Sequence, residues 1–367
     1  MSEIALVHDA LPFWGGAEQV LVSLLNVFPR TPVFTLLYNQ ARFRGTPLEG
    51  QDIRPSFIDR LPGVYADHYR FAPLFPTAIE GLDVRGYPVV ISLNYAVAHG
   101  VRTTPEQVHI GYTFTPLRHA WQNYSRFLAG LRGPKKVLAR WGLNYLRAWD
   151  VRAAARVTHF VAISHWVAGL IAQAYGRSAE VIYPPVEVDR FAPLTPRADY
   201  YILVSRMAPH KKVPVVVEAF ARLGLPLLVV GTGEEWAQVE ALARRAPNIQ
   251  LLGWQADDKL PDLLGRAKAF VHLAEDDFGI ALVEAQAAGC PVIALGRGGA
   301  RETVVDGQTG LLFAEQTVDG VMQAVRAFEQ SAIRWDVRAI RRNAERFSRA
   351  RFEREMQDLV ARKVEGK

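Results

Sequence analysis

Ala269-Phe270-Val271-His272-Leu273-Ala274-Glu275-Asp276-Asp277-Phe278-Gly279-Ile280, running on to Glu284-Ala285 and Gly289-Cys290-Pro291-Val292-Ile293-Ala294, decides how this chain is read. An apolar run of strand length ends in a turn, a helical stretch follows, and a second apolar run closes the unit. The Phe278-Gly279-Ile280 turn sets backbone N–H groups at a helix start, an arrangement that attracts anions. Asp276 stands eight positions before Glu284, which lies two turns into the helix and can look back toward the same place. Amide donors beside carboxylate acceptors suit a ligand that carries both phosphate and hydroxyl groups.

The same alternation recurs outward from this segment. Apolar runs at 4–7, 89–92, 109–112, 159–163 and 181–183 form one series, and runs at 201–204, 227–230, 249–252, 270–273 and 291–294 form a second. Strands alternating with helical patterns predict parallel sheets covered by helices on both faces. Two series predict an α/β chain of two Rossmann-like, doubly wound domains, which the length of 367 residues also favours. The Pro-rich, aperiodic stretch at 184–193 marks the boundary, giving a first domain over 1–190 and a second over 191–339. Residues 333–364 read as one or two charged amphipathic helices.

Composition narrows the class. Half of the residues are hydrophobic and 22% are charged, as in an ordinary globular protein. No run approaches the length of a membrane-spanning helix. Glu3 stands where a secretion signal would carry positive charge, so the amino terminus reads as a first strand and a cytoplasmic location is expected. A single cysteine, Cys290, excludes an internal disulfide and a cysteine-based metal cluster. The net charge of +6 favours an anionic partner. Arg118, Arg126, Arg132, Lys135, Lys136, Arg140, Arg147, Arg152 and Arg156 crowd a region whose only acid is Asp150, interleaved with Trp121, Tyr124, Phe127, Leu138, Trp141, Tyr145 and Trp149. Aromatics and cations on an amphipathic stretch suit the surface of an anionic bilayer, or else a solvated helix pair covering the first sheet. No common nucleic-acid-binding motif is present.

Three further elements carry candidate chemistry. Gly15-Gly16-Ala17-Glu18 opens the first helix, where paired glycines let backbone amides approach a phosphate. It is not the G-x-G-x-x-G dinucleotide pattern, which argues against a nicotinamide enzyme. Ser205-Arg206-Met207-Ala208-Pro209-His210-Lys211-Lys212 follows a strand, and a fixed guanidinium with an ammonium can stabilise a departing diphosphate. Gly231-Thr232-Gly233-Glu234 and Gly253-Trp254-Gln255 follow the next two strands. Nine scattered histidines show no metal-ligand spacing, and no Asp-x-Asp occurs.

The pattern from Asp276 to Ala294, continued by Gly298-Gly299-Ala300-Arg301-Glu302-Thr303-Val304 and Asp306-Gly307-Gln308-Thr309-Gly310-Leu311-Leu312-Phe313, resembles the donor-sugar signature of the family-4 retaining glycosyltransferases. That resemblance implies the GT-B fold, two Rossmann-like domains facing a central cleft, with the terminal helix, about 340–367, crossing back to complete the first domain on anchors such as Phe347 and Phe352. It implies that Arg206 and Lys211 grip the diphosphate and that Asp276 meets the sugar. Glu284 would accept from ribose hydroxyls, and Trp254 would stack on the base. Gly15, Gly16, Gly231, Phe278, Gly279 and Ile280 would line the donor. It further implies front-face transfer, in which the donor's own phosphate oxygen takes the acceptor proton, with no metal and no cofactor. Tyr112-Thr113-Phe114-Thr115-Pro116-Leu117-Arg118-His119-Ala120-Trp121 is similar to an element of enzymes that build lipid-linked polysaccharide, the mannosyltransferases using GDP-mannose. The implied acceptor is a polyprenyl-diphosphate-linked or other oligosaccharide, met by peripheral contact with the cytoplasmic face of the plasma membrane. Two departures stand out. Asp276 replaces the usual Glu, with Glu275 beside it, and Phe114 replaces a His that lies near the transferred sugar, a role that His119 or His99 would take over. A UDP-sugar donor, a nucleotide-sugar epimerase and a catalytically silent sugar-nucleotide-binding subunit stay open as alternatives.

Overall fold

The computed structural model describes residues 3–256 and 258–365. The chain divides into two compact units, one formed by 1–184 with 352–367 and the other by 185–351. The strands of the first are β1 (Ile4–His8), β2 (Val33–Thr35), β3 (Ile53–Pro55), β4 (Val89–Asn94), β5 (Val108–Thr113), β6 (His159–Ala162) and β7 (Ala179–Val181). Those of the second are β8 (Tyr201–Val204), β9 (Leu227–Val230), β10 (Ile249–Gly253), β11 (Ala269–His272), β12 (Val292–Leu295) and β13 (Gly310–Phe313). The sheet orders are β3-β2-β1-β4-β5-β6-β7 and β10-β9-β8-β11-β12-β13, and the pairings are parallel. Helices cover both faces, which is why the central strands are mostly apolar and do not alternate: β4 and β5 are buried at every position, with Ser92, Asn94, His109 and Thr113 as their polar members.

Both sheets therefore have the doubly wound order that reverses direction once, between β1 and β4 in the first unit and between β8 and β11 in the second. Loops leaving the two strands on either side of such a reversal diverge, opening a crevice at their carboxyl ends where ligands bind.

Two boundaries differ from the sequence expectation. The first unit ends at 184, not 190, because the segment after Pro184 pairs within the second unit: Val186 N–H donates to Phe347 O and Arg349 N–H to Val186 O. The helix Val337–Glu345 also stays with the second unit. Its apolar face (Ile340, Ala344) is buried, and Asn343 Nδ2 donates to Gln286 Oε1 and Thr303 O. The returning segment starts only at Phe352, whose ring stacks edge-on against Tyr112 of β5 at 5.6 Å. Phe347 instead packs on Phe278 of the second unit. The three-residue strands β2 and β3, and β13, were not expected as strands.

Candidate functional site

In the second unit the loop after β8 carries Arg206 and Lys211, and the loop after β11 carries Asp276, so the reversal point is flanked by both signs of charge. Lys211 Nζ donates to Asp276 Oδ1 at 2.6 Å. His272, the last residue of β11 and four before Asp276, brings Nε2 within 3.1 Å of Asp276 Oδ2, close but not aligned as a hydrogen bond. Burial alone would raise the Asp276 carboxyl; the Lys211 ammonium and the His272 imidazole overcome it and hold the carboxyl far below the usual carboxylate range. With only 18% of its side chain exposed, Asp276 is a fixed anion clamped between two nitrogen groups. Glu275 is exposed, and of the two neighbouring acids it is Asp276 that meets Lys211 and His272.

The turn that holds Asp276 is braced by the loop after β12. Gly299 N–H donates to Asp276 O at 2.8 Å, and a Cβ on Gly299 would stand 2.3 Å from the Phe278 backbone. Only glycine permits that approach. Phe278 turns its ring into the core, 3% exposed, so it supports the turn instead of presenting a side chain to a ligand. Gly279 and Ile280 open the helix Ile280–Ala287 as the sequence suggests. Glu284 on that helix has an Arg190 guanidinium nitrogen 3.9 Å away.

A cavity of about 320 Å³ is lined among others by Ser205, Arg206, Gly231, Thr232, Trp254 and Gln255. It gathers the ends of β8, β9 and β10. A register shift between Leu251 and Gly253 in β10 bends the strand just before Trp254, whose side chain is 72% exposed. Gly231 has φ +123°, and a Cβ there would meet Ser205 O at 2.0 Å, so any larger residue would shift the cavity wall. Arg206 is also exposed and touches Glu234 at 3.5 Å, leaving its guanidinium turned outward on the cavity rim. Structure thus brings Arg206, Gly231 and Trp254 together, and separately Lys211 with Asp276, all on the carboxyl ends of adjacent strands.

Gly15 and Gly16 stand at the reversal point of the first unit, Gly15 as the extended residue that precedes the helix Gly16–Val27. Beneath them lie His8 and Glu18, fully and almost fully buried, with His8 Nε2 3.9 Å from Glu18 Oε1. Burial pushes the Glu18 carboxyl up to about 7 and the His8 imidazole down to about 4. Next to them Asp9 accepts from the backbone N–H groups of Tyr95, Ala96, Val97 and Ala98 at 2.5–2.8 Å, tying the loop after β1 to the loop after β4.

The candidate histidines separate cleanly. His99 is fully buried, 3.2 Å from Asp150 Oδ1, while Asp150 Oδ2 accepts from Trp121 Nε1 and the Tyr175 hydroxyl. It is a core group, not a stand-in for the missing His. His119 is exposed and lies edge-on to Phe127. Phe114 sits between the rings of Tyr95 and Tyr112. Sequence reasoning passed over His272, Arg190, His8 and Glu18 as a set. For His272 a signal existed, since a polar residue four positions before Asp276 interrupts an otherwise apolar strand. Among the described residues no group of three His, Cys, Asp or Glu side chains could hold a metal ion.

Residues 187–347 match the family model described as Glycosyl transferases group 1. The chain is 31% identical over 193 residues to the GDP-mannose-dependent alpha-(1-6)-phosphatidylinositol monomannoside mannosyltransferase of Mycobacterium tuberculosis, covering 44% of this chain and 50% of the relative. It is 31% identical over 199 residues to the D-inositol 3-phosphate glycosyltransferase of Rhodococcus opacus, covering 46% and 44%. The chain spans about half the length of the curated relatives it matches. Among solved structures, HepE of Anabaena in complex with UDP matches with a TM-score of 0.69 at 18% identity, over 97% of this chain and 99% of that one. Sucrose-phosphate synthase from Thermosynechococcus elongatus matches with a TM-score of 0.75 at 17% identity, over 99% of each. At such identities the likeness is one of fold, and that fold is GT-B.

Proposed function

We propose, from the match of residues 187–347 to the group 1 glycosyltransferase model, that the whole chain is a retaining family-4 enzyme that moves a hexose from a nucleotide sugar to a lipid-linked or oligosaccharide acceptor. The observation that carries this reading is the placement of Arg206 and Lys211 on one side of a strand-order reversal and Asp276 on the other. Departure of a nucleoside diphosphate builds negative charge, and the two cations are positioned to receive it without a metal. Asp276 accepts hydrogen bonds from the sugar, Glu284 from the ribose, and Trp254 stacks on the base in the cavity. The C1–phosphate bond breaks, the C1–acceptor bond forms on the same face, and the departing phosphate oxygen takes the acceptor proton. The protein contributes positioning and charge, not a nucleophile. His119 is proposed to take the place near the transferred sugar where this chain has Phe114.

For the donor we favour GDP-mannose, supported by the GDP-mannose dependence of the mycobacterial relative. A UDP-sugar is the second reading, supported by the UDP held in the HepE structure. The acceptor reading places the enzyme in cell-surface polysaccharide synthesis, peripheral on the cytoplasmic face of the plasma membrane. No helix among the described residues is long and apolar enough to cross a membrane.

The test is incubation with labelled GDP- and UDP-sugars and a lipid extract. Labelled lipid or oligosaccharide supports transfer. Rearranged free sugar nucleotide means an epimerase, and saturable binding without product means a silent binding subunit. Glu284→Ala and Arg206→Ala should each weaken nucleotide affinity about tenfold or more, as expected for hydrogen bonds that involve a charged group. If folded material of both variants binds and turns over unchanged, the assignment is wrong.

A further inference from the structure

The helix Gly133–Ala154 carries an exposed apolar ridge on the first unit. Val137, Leu138 and Trp141 are 70–72% exposed and Tyr145 is 46% exposed, with the Trp141 and Tyr145 rings stacked at 6.5 Å. At about 100° per residue these four side chains fall within one arc. The face that the helix buries, Leu143, Trp149, Asp150 and Ala153, lies on the other side. The ridge is therefore not needed to attach the helix to its own unit.

Its charge is as one-sided as its hydrophobicity. From 107 to 149 the chain contains no Asp or Glu. Asp150, the acid that follows, is fully buried under Trp121 and Tyr175. Arg147 is committed inward, donating to Ala120 O and lying over the Trp121 and Tyr124 rings. Arg132, Lys135 and Arg140 remain exposed, and on the helical wheel Lys135 and Arg140 flank the apolar arc on its two sides. An apolar ridge bordered on both sides by cations fits a surface that is greasy at its centre and anionic at its edge.

We propose that Val137, Leu138, Trp141 and Tyr145 insert into the interface of an anionic bilayer, with Lys135 and Arg140 on its headgroups. Trp and Tyr favour that depth, since each has an apolar body and a polar tip. A protein partner or a second copy of this chain would need complementary acids around an apolar groove; the bilayer supplies both features continuously. The surface deepens the membrane contact proposed above, yet it stands independently of the sugar-transfer reading.

The experiment is co-sedimentation of the full chain with vesicles of phosphatidylcholine alone and with about 30% phosphatidylglycerol. Binding should require the anionic lipid and fall as salt is raised. Leu138→Gln/Trp141→Gln should reduce the partition coefficient about tenfold or more, and Lys135→Glu/Arg140→Glu comparably. All four positions are exposed, so circular dichroism should match the wild type. Turnover of a water-soluble acceptor should be unaffected, which separates failure of this surface from failure of the transferase. Equal partitioning of wild type and variants overturns the proposal, as does absence of binding to anionic vesicles. So does a concentration-dependent dimer that Leu138→Gln/Trp141→Gln abolishes, because the ridge then belongs to a second copy.

Discussion

Lys211→Ala should, under the proposed mechanism, lower turnover by about two to three orders of magnitude, as deleting one preorganised charge from the departing diphosphate's site would. The same variant should destabilise the second unit by about 2 kcal/mol. It strands a mostly buried carboxylate, and the value sits below that of a fully buried pair because Asp276 keeps some exposure. The pH dependence gives the sign. The Asp276 carboxyl is held far below its ordinary value of 3.8, so its stabilising contribution is complete above about pH 4 and is lost as acid drives the pH down through the native value. Without Lys211 that loss should move upward toward the ordinary carboxylate range. Acid titrations of unfolding for wild type, Lys211→Ala, Asp276→Asn and the double variant measure it. If the double variant is no more stable than the sum of the two singles predicts, the pair is not coupled. Full activity in Lys211→Ala would remove the residue from the mechanism.

A second large effect hides beneath Gly15 and Gly16. Glu18 moves from 4.5 to about 7 on folding, so between those limits the native carboxyl keeps a proton that the unfolded chain loses. Its contribution to stability therefore falls as pH rises across that window. His8 moves from 6.5 to about 4, so its contribution falls in the opposite direction, as pH drops from 6.5 toward 4. Each is worth about 3 kcal/mol over its range. The two slopes oppose, so the summed contribution of this pair should be nearly flat from about pH 4.5 to 6.5. Glu18→Gln should expose the His8 slope, making the first unit lose stability on acidification. His8→Gln should expose the Glu18 slope, with loss on alkalinisation. Urea midpoints across pH 4 to 8 decide it, and parallel profiles for the three proteins would refute the pairing. Tyr95, edge-on to His8 at 5.9 Å, and Asp9 with its four amide donors are present in every variant and cancel in the comparison.

The central strands were legible because burial on both faces writes them as predominantly apolar runs, and the loops after β8 and β11 were legible because their charges end those runs. Lys211 and Asp276 needed only strand order to come side by side. The three-residue strands β2 and β3 are shorter than any periodicity can mark, and β3 exposes two of its three residues. The helix Val337–Glu345 was misassigned because an amphipathic pattern reveals that a face is buried without saying against what. Asn343, bonded to Gln286 and Thr303, supplies that answer only in three dimensions. Phe278 illustrates the same limit: its neighbours in sequence are polar and turn-forming, while its ring belongs to Phe347.

One feature of chain routing reaches into biosynthesis. The second unit is an insertion whose entry and exit run side by side at Val186 and Ser348, joined by an ion pair of Glu187 with Arg349. A ribosome releases all of that insertion before it releases Phe352, the ring that Tyr112 awaits. Maturation of the nascent polypeptide should therefore run against the usual amino-terminal-first order: the inserted unit can complete itself during translation, while the earlier-made sheet waits, incompletely covered, for the final helix to arrive.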